Sequence, residues 1–280
     1  MPNTDNFILS EIKGGLRHPM SVYNYVRELK RLRENKKHPF VNSTKIKSVE
    51  KHYDFLKYLF DTDFNEQYIY SEKLHYLYDL YNENNKKIVN LYGPNLPTRA
   101  LSEEESISLY FSVSFLKPEV VVETGVSHGM SSLFILSALA ENQKGHLYSV
   151  DFPDIGMPHL YGKEPGWIVD DALRTRWTLI YGKSKLKLPS LLEKLNYIDL
   201  FIHDSEHSYF NMKFEFSNAL AHMKNGSLLL SDDIKSNSAL QEVLNEFGFN
   251  CKNICLLTGK NSDFGGTLIS KCNMKDSTRS

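Results

Sequence analysis

A chain of 280 residues can bury one large core, or one core with a smaller appendage. Its 33 basic and 34 acidic residues nearly cancel, leaving a formal charge of −1 and no global pull toward nucleic acid or an anionic membrane. No run reaches the roughly 20 apolar residues of a membrane span, and the amino terminus lacks a signal-peptide layout, so a cytoplasmic protein is expected. Cys251, Cys255 and Cys272 are too few and too unevenly spaced for a disulfide framework or a four-ligand metal site, and read as buried thiols in a reducing compartment.

Residues 1–95 are expected to form a helical extension without strands. Val22, Tyr25, Val26, Leu29 and Leu32 recur at helical spacing after His18-Pro19. The same helix carries a basic stretch, Arg27 to Lys37, which also holds Glu28 and Glu34 and reads as a solvated face. Ile46, Val49, Tyr53, Leu56 and Leu59 predict a second helix from about Ser43. A third, from about Glu66 to Asn85, is lined with Tyr68, Tyr70, Tyr76, Tyr78 and Tyr81. Such a stripe reads first as packing, and second as the roof of a substrate pocket or a homo-oligomer contact. Gly93-Pro94-Asn95-Leu96-Pro97 is the best domain boundary, placing a second domain at residues 96–280. Ser102 followed by Glu105 is a capping-box signature that opens a further helix.

From Pro118 the pattern alternates. Strand-like runs at Glu119–Glu123, His146–Asp151, Trp177–Tyr181, Ile198–His203 and Ser227–Leu230 are separated by helical patterns at Met130–Glu141, Lys185–Leu195, Phe210–Met223 and Ser238–Phe247. This predicts an α/β fold with a mostly parallel sheet covered on both faces. Asn253–Leu257 and Gly266–Lys271 are joined by a short polar stretch, so the last strand should run antiparallel.

The first strand leads into Glu123-Thr124-Gly125-Val126-Ser127-His128-Gly129-Met130-Ser131. A glycine turn between strand and helix admits a ligand to backbone amides and to the helix N-terminus. Ser127 occupies the second glycine position of the dinucleotide fingerprint, which counts against a nicotinamide-dependent dehydrogenase. Strand two ends in Asp151, placed to accept the hydroxyls of a ribose. Strand three leads into Gly182-Lys183-Ser184, a bend placed to line an adenine pocket.

On these residues the segment from about Glu119 to Lys271 resembles a class I methyltransferase dependent on S-adenosylmethionine. With HDSxHxY at 203–209 and SDD at 231–233 it is similar to a bacterial family of small-molecule methyltransferases. The resemblance implies a doubly wound, Rossmann-like, seven-stranded sheet whose last strand is antiparallel. It also implies that Glu123, Gly125 and Ser131 surround the methionine part of the cofactor, with Asp151 on the ribose. The extension before Pro97 lies outside it.

Strand four ends in Asp204 and strand five in Asp232-Asp233, at the edge where open α/β sheets bind ligands. Three carboxylates at one mouth repel one another unless protons or a cation offset them, and an oxygen-rich set suits Mg²⁺ or a similar divalent ion. The arrangement resembles the metal site of catechol O-methyltransferase, which implies Asp204, Asp232 and Asp233 as ligands, with Asp233 in place of an asparagine. The competing reading is a hydrogen-bonded acidic cluster without an ion. His207, three residues after Asp204, is a candidate general base for a substrate hydroxyl, or else a partner of the carboxylates. The segment Phe152 to Trp167, rich in glycine, proline and aromatics, reads as a lid or as packing.

The expected activity is methylation of a small-molecule or saccharide hydroxyl. Its rivals are a hydroxylase on the same scaffold, similar to a family named for cephalosporin hydroxylation, and a non-catalytic cofactor-binding scaffold.

Overall fold

The structure, a computed structural model, describes residues 19–42, 46–61, 72–92, 100–152, 160, 162–249, 254–259 and 262–270. Tyr68, Tyr70, the turn at 93–97, much of the expected lid, Cys251 and Cys272 lie outside the described residues.

In chain order the elements are α1 (Pro19–Asn35), β1 (Lys47–Val49), α2 (His52–Phe60), α3 (Glu72–Tyr92), α4 (Glu103–Leu116), β2 (Val120–Thr124), α5 (Met130–Glu141) and β3 (His146–Asp151). There follow β4 (Trp177–Tyr181), α6 (Ser184–Leu195), β5 (Ile198–His203), α7 (Tyr209–Ala221), β6 (Met223–Ser231), α8 (Ala239–Glu246), β7 (Cys255–Gly259) and β8 (Ser262–Leu268). They build one mixed sheet in the order β1-β7-β8-β6-β5-β2-β3-β4. β8 runs antiparallel to both β6 and β7, while the remaining pairs are parallel.

Strand periodicity sorts the core into two layers. Val121, Leu200, Ile202, Leu228 and Leu230 point to one face, under α2, α3, α4 and α5. Their neighbours Val122, Phe201 and Leu229 point to the other, under α6, α7 and α8. β2 and β5 are clothed on both sides, which is why they read as nearly unbroken apolar runs. α5 is buried along most of its length for the same reason, wedged between the sheet and α4.

The Rossmann-like α/β expectation holds, and an eighth strand is added to the seven. The extension is not purely helical: Lys47–Val49 pairs in parallel with Cys255–Leu257 at the far edge of the sheet. The second helix consequently starts at His52, not near Ser43. Ile46 and Val49 fall into helical phase with Tyr53 and Leu56, but the edge of β7 recruits Lys47–Val49 into a strand, and Ile46 lies just before it.

The capping box opening α4 is present. Ser102 N donates to Glu105 Oε2 at 2.6 Å, and Glu105 N donates to Ser102 Oγ at 3.4 Å. Ser102→Ala should lower the unfolding free energy by about 1 kcal/mol, read from urea denaturation, because one helix-end amide loses its acceptor.

Candidate functional site

The C-terminal ends of β2, β5 and β6 are tied side by side by main-chain bonds. Asp204 N donates to Thr124 O at 2.8 Å, and Asp232 N donates to His203 O at 2.9 Å. The glycine turn and the acidic residues therefore share one edge. Gly125, at φ +86°, lies so close to β5 that a β-carbon there would stand 2.0 Å from Asp204 O.

Three residues of this turn take positive φ: Gly125, Ser127 at +51° and Gly129 at +98°, the last as N-cap of α5. Ser127 pays a steric cost that glycine would avoid, and its hydroxyl is buried without a protein partner. Its amide donates to Asp151 Oδ2 at 3.2 Å. Burial raises the Asp151 carboxyl above its ordinary pKa despite the backbone amides of the turn that face it.

Beneath the turn, Glu123 is fully buried and accepts the hydroxyls of Ser131 (2.5 Å), Ser132 (2.7 Å) and Ser149 (2.5 Å). Burial pushes its pKa up to about 7, against the pull of those three donors. Glu123 and Ser131 thus bond each other, stapling α5 and β3 to β2. Gly182 N donates to Asp151 O at 2.9 Å, which sets the bend after β4. Ser184 turns inward and donates to Asn211 Oδ1 at 3.4 Å.

Residues 166–169 pin the turn from outside. Gly166 N donates to Ser127 O at 2.9 Å, and the Trp167 indole donates to His128 Nδ1 at 2.8 Å.

At the acidic end, ligand atoms of Asp204, His207 and Asp232 lie within 4.8 Å of one another. Burial, reinforced by Asp232, holds the Asp204 carboxyl well above the usual range. Asp232 is likewise pushed up, to about 8, by burial and by Asp233. The imidazole of His207 stands between two carboxylates, with Nε2 3.8 Å from Asp204 Oδ1 and Nδ1 3.4 Å from Asp233 Oδ2. Burial drives its pKa down to about 4, outweighing Asp233, and both His203 and Arg31 push the same way. His207 is therefore neutral at ordinary pH. The structure places Asp233 behind His207, at φ +48°, with 46% of its side chain exposed, so the third member of the close cluster is the histidine.

Glu215 was not singled out in the sequence. It is fully buried, and its carboxylate joins Thr124 Oγ1 (2.6 Å), His203 Nδ1 (2.6 Å), Ser205 Oγ (2.8 Å) and Asn211 Nδ2 (3.0 Å). The network props the ends of β2 and β5 from α7. In the sequence its only signal is a lone acid among apolar residues of that helix.

A mostly parallel sheet with β8 inserted antiparallel carries a glycine turn after β2 and an acidic residue at the end of β3, the arrangement expected of a class I methyltransferase fold. Residues 122–234 match the family model of a methyltransferase domain, which supports methylation dependent on S-adenosylmethionine. No curated protein matches the chain. Among solved structures it is similar to a protein from Klebsiella pneumoniae assigned as an O-methyltransferase, at 16% identity and TM-score 0.51, over 74% of this chain and 100% of that one. It is also similar to cofactor-bound Rv0187 from MTB, at 14% identity and TM-score 0.51, over 69% and 91% of the two chains. At such identities the likeness is one of fold. Among the described residues no helix is long and apolar enough to cross a membrane.

Proposed function

We propose that this chain is an O-methyltransferase that transfers the methyl group of S-adenosylmethionine to a small-molecule or saccharide hydroxyl beside a divalent cation. The observation that carries this reading is the meeting of Asp204, Asp232 and His207 against the glycine turn. On the cofactor side, the buried, unpartnered Ser127 hydroxyl and the Asp151 carboxylate offer a donor and an acceptor where a ribose and its neighbours would lie. Gly125, Gly129 and Gly182 let the turns pack closely there, with Glu123, Ser131 and Ser184 fixing the frame around them.

On the acceptor side, two carboxylates pressed together with raised pKa values and a neutral imidazole suit a divalent cation better than they suit each other. Asp204, Asp232 and His207 would hold it; bound there, it lowers the pKa of an acceptor hydroxyl and screens the carboxylates. Asp233 faces the second imidazole nitrogen, as carboxylates behind metal-ligating histidines commonly do. A lone pair given to a cation cannot also take a proton, so His207 serves as ligand and not as base, and the hydroxyl proton leaves to solvent. Holding the acceptor oxygen in line with the sulfonium methyl supplies most of the acceleration.

The test is transfer of labelled methyl from S-adenosylmethionine to candidate hydroxyl compounds, with Mg²⁺ or Mn²⁺ and with chelator. Activity should vanish with chelator and return with metal. Activity indifferent to chelator would return the acidic cluster to a structural role. Asp151→Ala should weaken S-adenosylmethionine binding on the order of 100-fold by calorimetry, since two ribose hydroxyls lose a charged acceptor. Unchanged affinity would remove Asp151 from the cofactor site.

One feature favours a second reading. An imidazole beside two carboxylates accepts iron as readily as magnesium, as an oxygen-dependent hydroxylase requires. Oxygen consumption without methyl transfer would decide for it.

A further inference from the structure

The C-terminal half of α1 lies against the loop that carries Asp204 and His207. Asn35, only 7% exposed, binds that loop through both atoms of its amide. Its Nδ2 donates to His207 O at 2.9 Å, and its Oδ1 accepts Tyr209 N at 2.8 Å. Asn237, also buried, donates to Asn35 Oδ1 at 3.3 Å and reaches His207 O at 3.5 Å, locking the amide in this orientation.

Neighbouring side chains repeat the pattern. Glu34 Oε1 of α1 accepts Phe210 N at 2.8 Å, and just past the helix the His38 ring stacks on Tyr209 at 3.5 Å between centroids, nearly parallel. Tyr209 and Phe210 are the first residues of α7, whose leading amides have no acceptor within their own helix. The acceptors come instead from 174 and 176 residues earlier in the chain. On the same side of α1, Arg31 is held by Glu28 in a two-point ion pair and turns its charge toward Asp233 and Glu206.

We infer that α1 is a wall of the active site and that Asn35 is a positioning residue for His207. The ring of His207 has no hydrogen-bond partner at Nδ1 and stands 3.4 Å from Asp233, so side-chain bonds do little to orient it. Its placement is set from the main chain, by the amide of Asn35 on its carbonyl and on the amide two residues later. The N-terminal segment, which the family model does not cover, thereby completes a site whose other members come from residues 123–233. This deepens the cation-site reading of Asp204, Asp232 and His207 and rests on it.

The experiment compares wild type with Asn35→Ala, or with Asn35→Ser should the alanine variant fail to fold. Three readouts are needed: Mn²⁺ binding by electron paramagnetic resonance, S-adenosylmethionine binding by calorimetry, and the His207 ring signal in carbon-13 NMR of the metal-free protein, assigned by its loss in His207→Ala. The variant should bind Mn²⁺ roughly tenfold more weakly, the effect usual for losing an orienting partner of a metal ligand. It should bind S-adenosylmethionine within twofold of wild type and show a shifted His207 signal.

A variant that matches wild type in Mn²⁺ affinity and ring signal would overturn the inference. So would parallel losses of Mn²⁺ and S-adenosylmethionine binding, since these would mark a general loosening of the fold. If wild type itself fails to bind Mn²⁺, the cation reading falls, and the ring signal alone then decides whether Asn35 positions His207.

Discussion

Gly125→Ala is expected to abolish S-adenosylmethionine binding and to lower stability by about 3 kcal/mol or more, combining overpacking with a left-handed backbone that alanine resists. The added β-carbon would sit 2.0 Å from Asp204 O and 2.5 Å from its carbonyl carbon, both main-chain atoms with no rotamer to yield. Relief requires β2 and β5 to part at their ends, which also displaces Asp204 relative to Asp232 on the neighbouring strand end. One methyl group should therefore damage both halves of the site, the cofactor turn and the acidic cluster, and calorimetry with Mn²⁺ and with S-adenosylmethionine would register both losses. Wild-type affinity for both would mean that the turn is far more pliable than its packing implies.

The second large effect is expected at Glu215. Burial alone would raise its pKa, yet the His203 ring and the surrounding donors bring it down to about 2 from the ordinary 4.5. A carboxyl whose folded pKa is depressed stabilises the fold above its unfolded value and loses that contribution as pH falls through the folded one. The window here runs from about pH 4.5 down to about pH 2, and a shift of this size corresponds to roughly 3 kcal/mol. Glu215→Gln should cost about 3–5 kcal/mol at pH 7, because it leaves His203 without its charged partner and presents an amide donor to other donors. Urea denaturation at pH 7 and at about pH 3, inside that window, would measure this, with wild type losing more stability than the variant on acidification. Equal loss in the two proteins would show that another group governs acid sensitivity.

The residues that made the fold legible are those whose environment is local or periodic. His146–Asp151, Trp177–Tyr181, Ile198–His203 and Met130–Glu141 have the boundaries expected of them, because these strands and the buried helix leave apolar-rich runs between turn residues. Ser102 and Glu105 announced their cap for the same reason. The misses depend on distant partners. Lys47-Ser48-Val49 carries no alternation long enough to mark a strand, and pairs with residues more than 200 positions away. Glu215 looks like any solvated acid on a helix until β2 and β5 close over it.

At the site, the strand ends were readable as a set, since the end of each apolar run in a parallel sheet marks the same C-terminal edge. The order of groups around His207 was not. Asp233 follows Asp232 directly, but a left-handed turn at Asp233 swings its carboxylate to the far side of the imidazole. That backbone reversal has no glycine to advertise it. Asn35 was hidden in a stretch whose charges dominate the reading, and its role rests on a loop at the other end of the chain.

The short strand β1 also bears on solubility. Cys255, Leu256 and Leu257 of β7 are at most 2% exposed, and β1 occupies the hydrogen-bonding edge that β7 would otherwise present to solvent. An apolar, unpaired edge invites a strand from another molecule, and a three-residue, partly charged cover such as Lys47-Ser48-Val49 is too short to recruit one in turn. Trimming the chain to the segment that resembles methyltransferases would bare that edge together with the apolar face under α2. Such a fragment should self-associate through β7 as it folds, and adding Lys or Pro to that strand would only partly restore what three residues of the extension supply.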